Sequence, residues 1–281
     1  MIFEGLSGFP ITPFNNGKID FKVLCTIRDH IDLAGLDSIG VLGSTGSFAY
    51  ISELERTKVM ECWSKAKTPW IAGVSATTTS EAIRYCHIAE QSGARGVIAN
   101  AFAYVPLRPE ELKRYFSHIA DCSPLPLCIY DNPATTGQAL SEQLLRELAT
   151  HPNIQAIKTF AKQDNESQQK VLSKLPLHTG YAVDVFCCEA MLGGASAWYS
   201  TLAGTMPELL VPVVSAIKLG DRRKARELNQ LVLPLYELMQ QHSGYRVMHA
   251  LANLRGWTCE LPAPLLLPNI GDLSQFLSDG L

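Results

Sequence analysis

No stretch of this 281-residue chain approaches the 18 or more consecutive apolar residues of a membrane-spanning helix. The opening Met1-Ile2-Phe3-Glu4 shows no signal-peptide pattern either. One-sided charge is also missing: 24 Lys and Arg against 27 Asp and Glu leave a net −3, scattered rather than striped. Nucleic acid would find no electrostatic footprint to bind. The densest basic cluster, Arg222-Arg223-Lys224 with Arg226, sits beside Asp221 and Glu227 and reads as a solvated helix face. The eight cysteines include no C-x-x-C pair, and the seven histidines lack metal-ligand spacing, which disfavours zinc. Most of the thiols fall in apolar runs, as buried thiols of a reduced compartment do. Low-complexity linkers are absent. These absences predict a cytoplasmic protein with neither nucleic acid nor membrane as partner, and no metal or cofactor is expected.

What the chain does contain is a repeated unit. A short apolar run followed by an amphipathic stretch recurs every 25 to 30 residues or so. The runs predict strands over Gly8–Thr12, Ser38–Leu42, Trp70–Val74, Gly96–Ala101, Leu127–Asp131, Gln155–Thr159, His178–Ala182 and Ala195–Ser200. Helix starts are marked between them. Ser52-Glu53-Leu54-Glu55, Thr78-Thr79-Ser80-Glu81 and Thr205-Met206-Pro207-Glu208 fit the capping box, and Pro109-Glu110-Glu111 fits a first-position proline with an acidic first turn. Eight strand–helix pairs in one uninterrupted alternation predict a closed (β/α)8 TIM barrel over residues 1–220, with an open doubly wound sheet as the alternative. From about Asp221 the pattern is helical only, with Leu228, Leu231, Leu235 and Leu238, then Val247, Leu251 and Leu254, at helical spacing. Prolines 262, 264 and 268 interrupt it before a polar tail. Residues 221–281 therefore read as a C-terminal helical extension packed on the barrel.

In such a barrel, chemistry sits at the C-terminal ends of strands. Lys158 ends the sixth predicted strand, Asn153-Ile154-Gln155-Ala156-Ile157-Lys158. An ammonium about to be desolvated loses its proton more readily, and burial lowers a lysine pKa by up to several units. The free amine can then attack a ketone or aldehyde and form a Schiff base. Tyr130 ends the fifth strand, about one strand–helix unit before Lys158, so both should reach the same mouth. After the second strand, Gly43-Ser44-Thr45-Gly46-Ser47 offers backbone N–H groups and the hydroxyls of Ser44 and Thr45 to a carboxylate. Taken singly, each has an ordinary structural explanation: a snorkelling lysine, a rim aromatic, a turn. Placed together, they describe an amine that attacks a 2-oxo acid, a loop that holds its carboxylate, and a phenol that moves protons. A metal-dependent hydrolase fits poorly, because His87, His118 and His249 fall in helical segments and His178 opens a strand.

With those motifs in place, the chain resembles the dihydrodipicolinate synthase / N-acetylneuraminate lyase family of class I, pyruvate-handling aldolases. It carries Gly43-Ser44-Thr45-Gly46 for the family's G-[ST]-T-G-E, Tyr130-Asp131-Asn132-Pro133 for its Y-N-x-P, Ile157-Lys158 for its I-K, and Thr12-Pro13-Phe14 near the start. The likeness spans nearly the whole chain in order and spacing. The resemblance implies an imine between Lys158 and pyruvate or a related 2-oxo acid. It also implies Tyr130 as acid–base residue, Thr45 as its relay partner, and Tyr104 as a second relay tyrosine lent by a neighbouring subunit. A homodimer or homotetramer follows from that loan. Trp198 falls where the family's backbone faces bound pyruvate, where it would either narrow the pocket or belong to the core.

Departures bear on the second substrate. The synthase's Y-N-x-P-x-R-T-G arginine is Thr135 here, and a hydroxyl cannot replace a bidentate permanent cation. The acidic run of the sialic acid lyases is replaced by Gly180-Tyr181-Ala182-Val183, with Asp184 the only nearby acid and Phe160 just past the lysine. Ser47 replaces the glutamate that closes the loop motif. The expectation is a Schiff-base lyase with a smaller or less polar second substrate. A keto-deoxy sugar acid dehydratase or aldolase is the alternative within the family. A catalytically silent keto-acid-binding protein is the alternative outside enzymes.

Overall fold

A computed structural model of the chain describes residues 1–161 and 166–270. Eight parallel strands close into a barrel: β1 Gly5–Gly8, β2 Ser38–Val41, β3 Trp70–Gly73, β4 Gly96–Ala99, β5 Leu127–Tyr130, β6 Ile154–Phe160, β7 His178–Ala182 and β8 Ala197–Ser200. Each pairs with its sequence neighbours, and β1 closes the ring between β8 and β2. An open sheet is thereby excluded. A short antiparallel ribbon joins Phe14–Asn15 to Lys18–Ile19 ahead of the first helix.

The helices are α1 Phe21–Asp32, α2 Glu53–Trp63, α3 Thr79–Gln91, α4 Pro109–Cys122, α5 Pro133–Thr136, α6 Glu142–Leu148, α7 Glu166–Leu172, α8 Asp184–Leu192, α9 Pro207–Lys218, α10 Arg222–Leu231, α11 Leu233–His242 and α12 Gly244–Leu254. Their starts follow local chemistry. The Asp20 carboxylate accepts from the Lys22 and Val23 amides to open α1, and Ser52 with Glu55 forms the reciprocal capping box of α2. Thr78 caps α3, and Pro109 occupies the first position of α4.

Strand pleating sorts side chains between two cores. Phe3, Phe9, Ile71, Ile98, Cys128, Ala156, Ala197 and Tyr199 fill the barrel interior, with Tyr130 against them. Their strand neighbours Leu6, Ile39, Val97, Ile129, Ile157 and Trp198 point outward into the larger layer under the helices. Two glycines make room for the interior rings. A Cβ on Gly40 would lie 2.3 Å from the Phe9 ring, and one on Gly180 would lie 2.2 Å from that of Tyr199.

Two predicted boundaries are corrected. The first strand is Gly5–Gly8, not Gly8–Thr12, because Pro10 has no N–H to donate to a neighbouring strand. Pairing ends where the Phe9 amide donates to the Ser200 carbonyl at 2.8 Å. Thr205 caps nothing: its hydroxyl is buried without a partner among the described residues, and α9 begins one residue later, with Met206 in the capping position. The proline at Pro207 sets that start, since its fixed φ suits the first helical position.

Beyond α9 the helical pattern divides in three. The chain breaks at Val232, where Pro234 restarts it, and at Ser243, whose φ of 73° no helix accommodates. The helices α10 and α11 both pack against α8, and α12 packs against α11. The predicted polar tail from 271 onward lies outside the described residues. No helix among the described residues is long and apolar enough to cross a membrane.

Candidate active site

Adjacent strands deliver the two central side chains. β5 and β6 run parallel with Tyr130 opposite Lys158, so their shared parity points both inward at the C-terminal end of the barrel. Lys158 is only 5% exposed. Its Nζ lies 3.6 Å from the centre of the Phe9 ring, 4.4 Å from that of Tyr130 and 5.6 Å from that of Tyr199. Those ring faces favour the ammonium, and so do Cys128, Asp184 and Cys187 nearby. Burial outweighs them and draws the lysine down to about 8. About a tenth of the side chains are then free amine at pH 7, against about one in a few thousand at the ordinary value.

Burial pushes the Tyr130 phenol in the opposite direction, well above its usual range, with Asp131 adding to the rise and Ser44 and Asn132 opposing it. The phenol therefore keeps its proton at neutral pH and is available as a donor.

The hydroxyl loop lies across the same mouth. The Thr12 hydroxyl donates to the Gly46 carbonyl at 2.7 Å and fixes the loop from the β1 side. Ser44 and Thr45 line the cavity that contains Lys158 and Tyr130. Ser44 is the hydroxyl beside Tyr130, whereas the Thr45 Oγ1 contacts the Thr201 Oγ1 at 3.3 Å. Ser47 adopts the left-handed conformation (φ 62°), and its hydroxyl meets the Tyr245 phenol at 2.8 Å. The position expected to carry a glutamate instead ties the loop to α12.

Tyr104 is 99% exposed and does not line this cavity. Trp198 does not line it either. Its ring is wholly buried in the outer layer, and its Nε1 donates to the Asp184 Oδ1 at 2.8 Å. Of the two readings of Trp198, the side chain occupies the core position. His178 sits at the opposite end of the barrel, 3.4 Å from Glu4.

Several lining residues carry no local sequence signal. Asp184 opens α8 behind Val183, a β-branched residue held at φ 72°. Its buried carboxylate accepts from Trp198 and, at 3.3 Å, from the Leu202 amide. Burial raises its pKa, and Ser200, Trp198, Leu202 and Lys158 hold it down. Trp198→Phe would remove one of those donors. The expected cost is about 1–3 kcal/mol of stability, with little change in the KM for the 2-oxo acid. A large KM change at unaltered stability would instead place the indole in the pocket.

The cavity of about 370 Å³ extends outward past Phe160, Ala134, Thr135 and Val185 to Met239, Gln240, Ser243 and Tyr245 on the C-terminal helices. Among the described residues that line it, Lys158 is the one cation and Asp184 the one acid. The Thr135 hydroxyl is turned to the Asn132 carbonyl at 3.3 Å. No cluster of three or more His, Cys, Asp or Glu side chains suited to a metal occurs among the described residues. The arrangement can hold a carbonyl compound between a readily deprotonated amine and a protonated phenol, in a pocket with an apolar outer wall.

Comparison with known proteins agrees with this geometry. Residues 2–268 match the Dihydrodipicolinate synthetase family. The chain is 33% identical over 279 residues to a 4-hydroxy-tetrahydrodipicolinate synthase of Methanosphaerula palustris, covering 95% of this chain and 93% of the relative. It is 31% identical to 4-hydroxy-tetrahydrodipicolinate synthase 1 of Streptomyces coelicolor, over 82% of this chain and 76% of that one. Among solved structures, a dihydrodipicolinate synthase from Agrobacterium tumefaciens superposes with a TM-score of 0.91 at 34% identity, covering 95% and 94% of the two chains. A dihydrodipicolinate synthase from Acinetobacter baumannii, crystallised with pyruvate, gives 0.88 at 27% identity, covering 95% and 94%.

Proposed function

Since the chain belongs to the dihydrodipicolinate synthetase family and is a lyase of the class I aldolase type, we propose that Lys158 is its Schiff-base residue, acting on pyruvate or a related 2-oxo acid. The observation that carries this reading is the buried amine, drawn down to about 8, paired in register with a tyrosine at the barrel mouth. The Lys158 amine attacks the C2 carbonyl, and the carbinolamine loses water as the protonated Tyr130 phenol supplies a proton to the departing oxygen. Loss of a C3 proton gives an enamine, which adds to the second substrate; the reverse sequence cleaves the product. Backbone amides of the Ser44–Gly46 loop and the Ser44 hydroxyl hold the carboxylate of the 2-oxo acid.

Thr45, linked to Thr201, steadies that loop and serves as the relay partner within it. Tyr104 would be lent to the cavity of a second copy in a homodimer or homotetramer, a reading supported by its full exposure on its own chain. Residues 1–220 would form the catalytic barrel and 221–281 its helical extension, in a cytoplasmic enzyme.

The relatives are named for a dicarboxylate product, 4-hydroxy-tetrahydrodipicolinate, which would call for a second substrate that brings a carboxylate of its own. Here the outer wall supports a different one. Thr135 stands where the arginine is expected, its hydroxyl is turned to backbone, and Phe160, Val185 and Met239 make the surface apolar. A short uncharged aldehyde suits this wall. With pyruvate as donor, kcat/KM is expected to be at least roughly tenfold higher for such an aldehyde than for aspartate semialdehyde. Equal or greater efficiency with aspartate semialdehyde would make the protein a synthase like its named relatives.

A further inference from the structure

The Cys25 and Cys62 sulfurs lie 3.2 Å apart, on α1 and α2, outside the cavity lining. A disulfide bond is about 2.05 Å long, so a movement of roughly one ångström, within the reach of side-chain rotation on two packed helices, would join them. The surroundings suit sulfur chemistry. Arg28 Nη1 stands 3.9 Å from the Cys25 sulfur and 3.8 Å from the Cys62 sulfur, and it is held there by the Cys62 carbonyl at 3.0 Å. Asp29 fixes the other side of the guanidinium. Burial pushes the Cys62 thiol up to about 12, with the Arg28 guanidinium opposing the rise. The two sulfurs also differ in access: Cys25 is partly exposed, whereas Cys62 is buried.

We propose that Cys25 and Cys62 form a reversible thiol–disulfide site in which Cys25 meets a hydroperoxide and Cys62 resolves it. The Cys25 thiolate takes the terminal oxygen of the hydroperoxide, becoming a sulfenic acid while the oxidant leaves as water or an alcohol. The Cys62 sulfur then attacks the sulfenic sulfur, forming the S–S bond and expelling water. Two thiols are oxidised by two electrons and one peroxide is reduced. A dithiol reverses the change by exchange.

Position gives the bond a consequence. The two cysteines are 37 positions apart, and the chain between them carries β2 and the Ser44–Thr45 loop. Closing that loop restricts the unfolded chain and ties α1 to α2, so the oxidised protein is the more stable form.

The test uses the full chain, exposed to hydrogen peroxide, alkylated and mapped without reduction. The expected product is one cross-linked peptide pair containing Cys25 and Cys62, lighter by two hydrogens, cleaved by dithiothreitol. Melting temperature should rise by roughly 5 °C or more on oxidation and fall back on reduction. Cys62→Ser should give no cross-link and should leave Cys25 as a sulfenic acid that dimedone captures. Cys25→Ser should give neither product, and both near-isosteric variants should melt close to the reduced protein. Alkylation of both thiols after peroxide, or dimedone capture at Cys25 in the unaltered protein without a cross-link, would overturn the proposal. So would oxidation confined to the exposed Cys122.

Discussion

Lys158→Met is expected to abolish turnover while making the protein more stable. The side chain is of similar length and is apolar, so it fills the same space without the charge. Burial lowers the folded-state pKa of Lys158 from 10.5 to about 8, and each unit corresponds to about 1.4 kcal/mol. The folded protein therefore carries a penalty of roughly 3 kcal/mol for holding this ammonium at neutral pH. The unfolded chain binds the proton more tightly, so the penalty is fully present below pH 8. It fades as pH rises from about 8 towards 10.5, where both states lose the proton. Stability of the unaltered protein should accordingly rise with pH across that window. Lys158→Met should lack this rise and melt roughly 5–10 °C higher at pH 7. Thermal melts at pH 7 and 9.5 check both statements. A variant that melts lower, with the same pH slope as the parent, would mean that the ammonium is well solvated or fully paired, and the lysine would lose its activation.

Tyr130→Phe separates imine formation from proton transfer. The ring packs beside Lys158 and must stay; only the hydroxyl is removed. That hydroxyl is protonated at neutral pH, with Ser44 beside it. Proton transfer by a positioned side chain contributes typically 10²–10⁴-fold, and kcat is expected to fall by about that factor. On the proposed assignment the Ser44–Gly46 loop, not the phenol, holds the 2-oxo acid, so KM should stay within about threefold of the parent. Steady-state kinetics on the variant, with its melting curve as a control for folding, give the answer. A fall in kcat below tenfold would assign the proton to another group, of which the exposed Tyr104 from a second copy is the first candidate.

Local rules carried a good part of this structure. The strand-and-helix alternation was legible because each βα unit is a local object: a short apolar run, a capping residue, an amphipathic face. Ser52, Thr78 and Pro109 mark their helix starts through hydrogen bonds or fixed dihedrals spanning three residues. The meeting of Lys158 with Tyr130 was legible for the same reason, since one unit of spacing on a parallel barrel places both at one end.

What was not legible depends on partners distant in sequence. Phe9 lies directly under the Lys158 amine because Gly40 leaves it space, and nothing local to residue 9 shows this. Part of the outer wall comes from α11 and α12, which bring Met239, Gln240 and Tyr245 to the cavity. Trp198 was open between pocket and core until the register of β8 against β1 and β7 fixed its outward parity. Asp184 then becomes intelligible as the acceptor of its indole.

The most direct measurement is borohydride reduction of the protein mixed with pyruvate, followed by peptide mass mapping, with Lys158→Met in parallel. The account predicts one reduced pyruvyl adduct, confined to Lys158 and absent from the variant. Its formation rate should climb as pH rises towards 8 and level off above it, following release of the amine proton. An adduct on another lysine, or no adduct in folded protein with pyruvate or with bulkier 2-oxo acids, would contradict it.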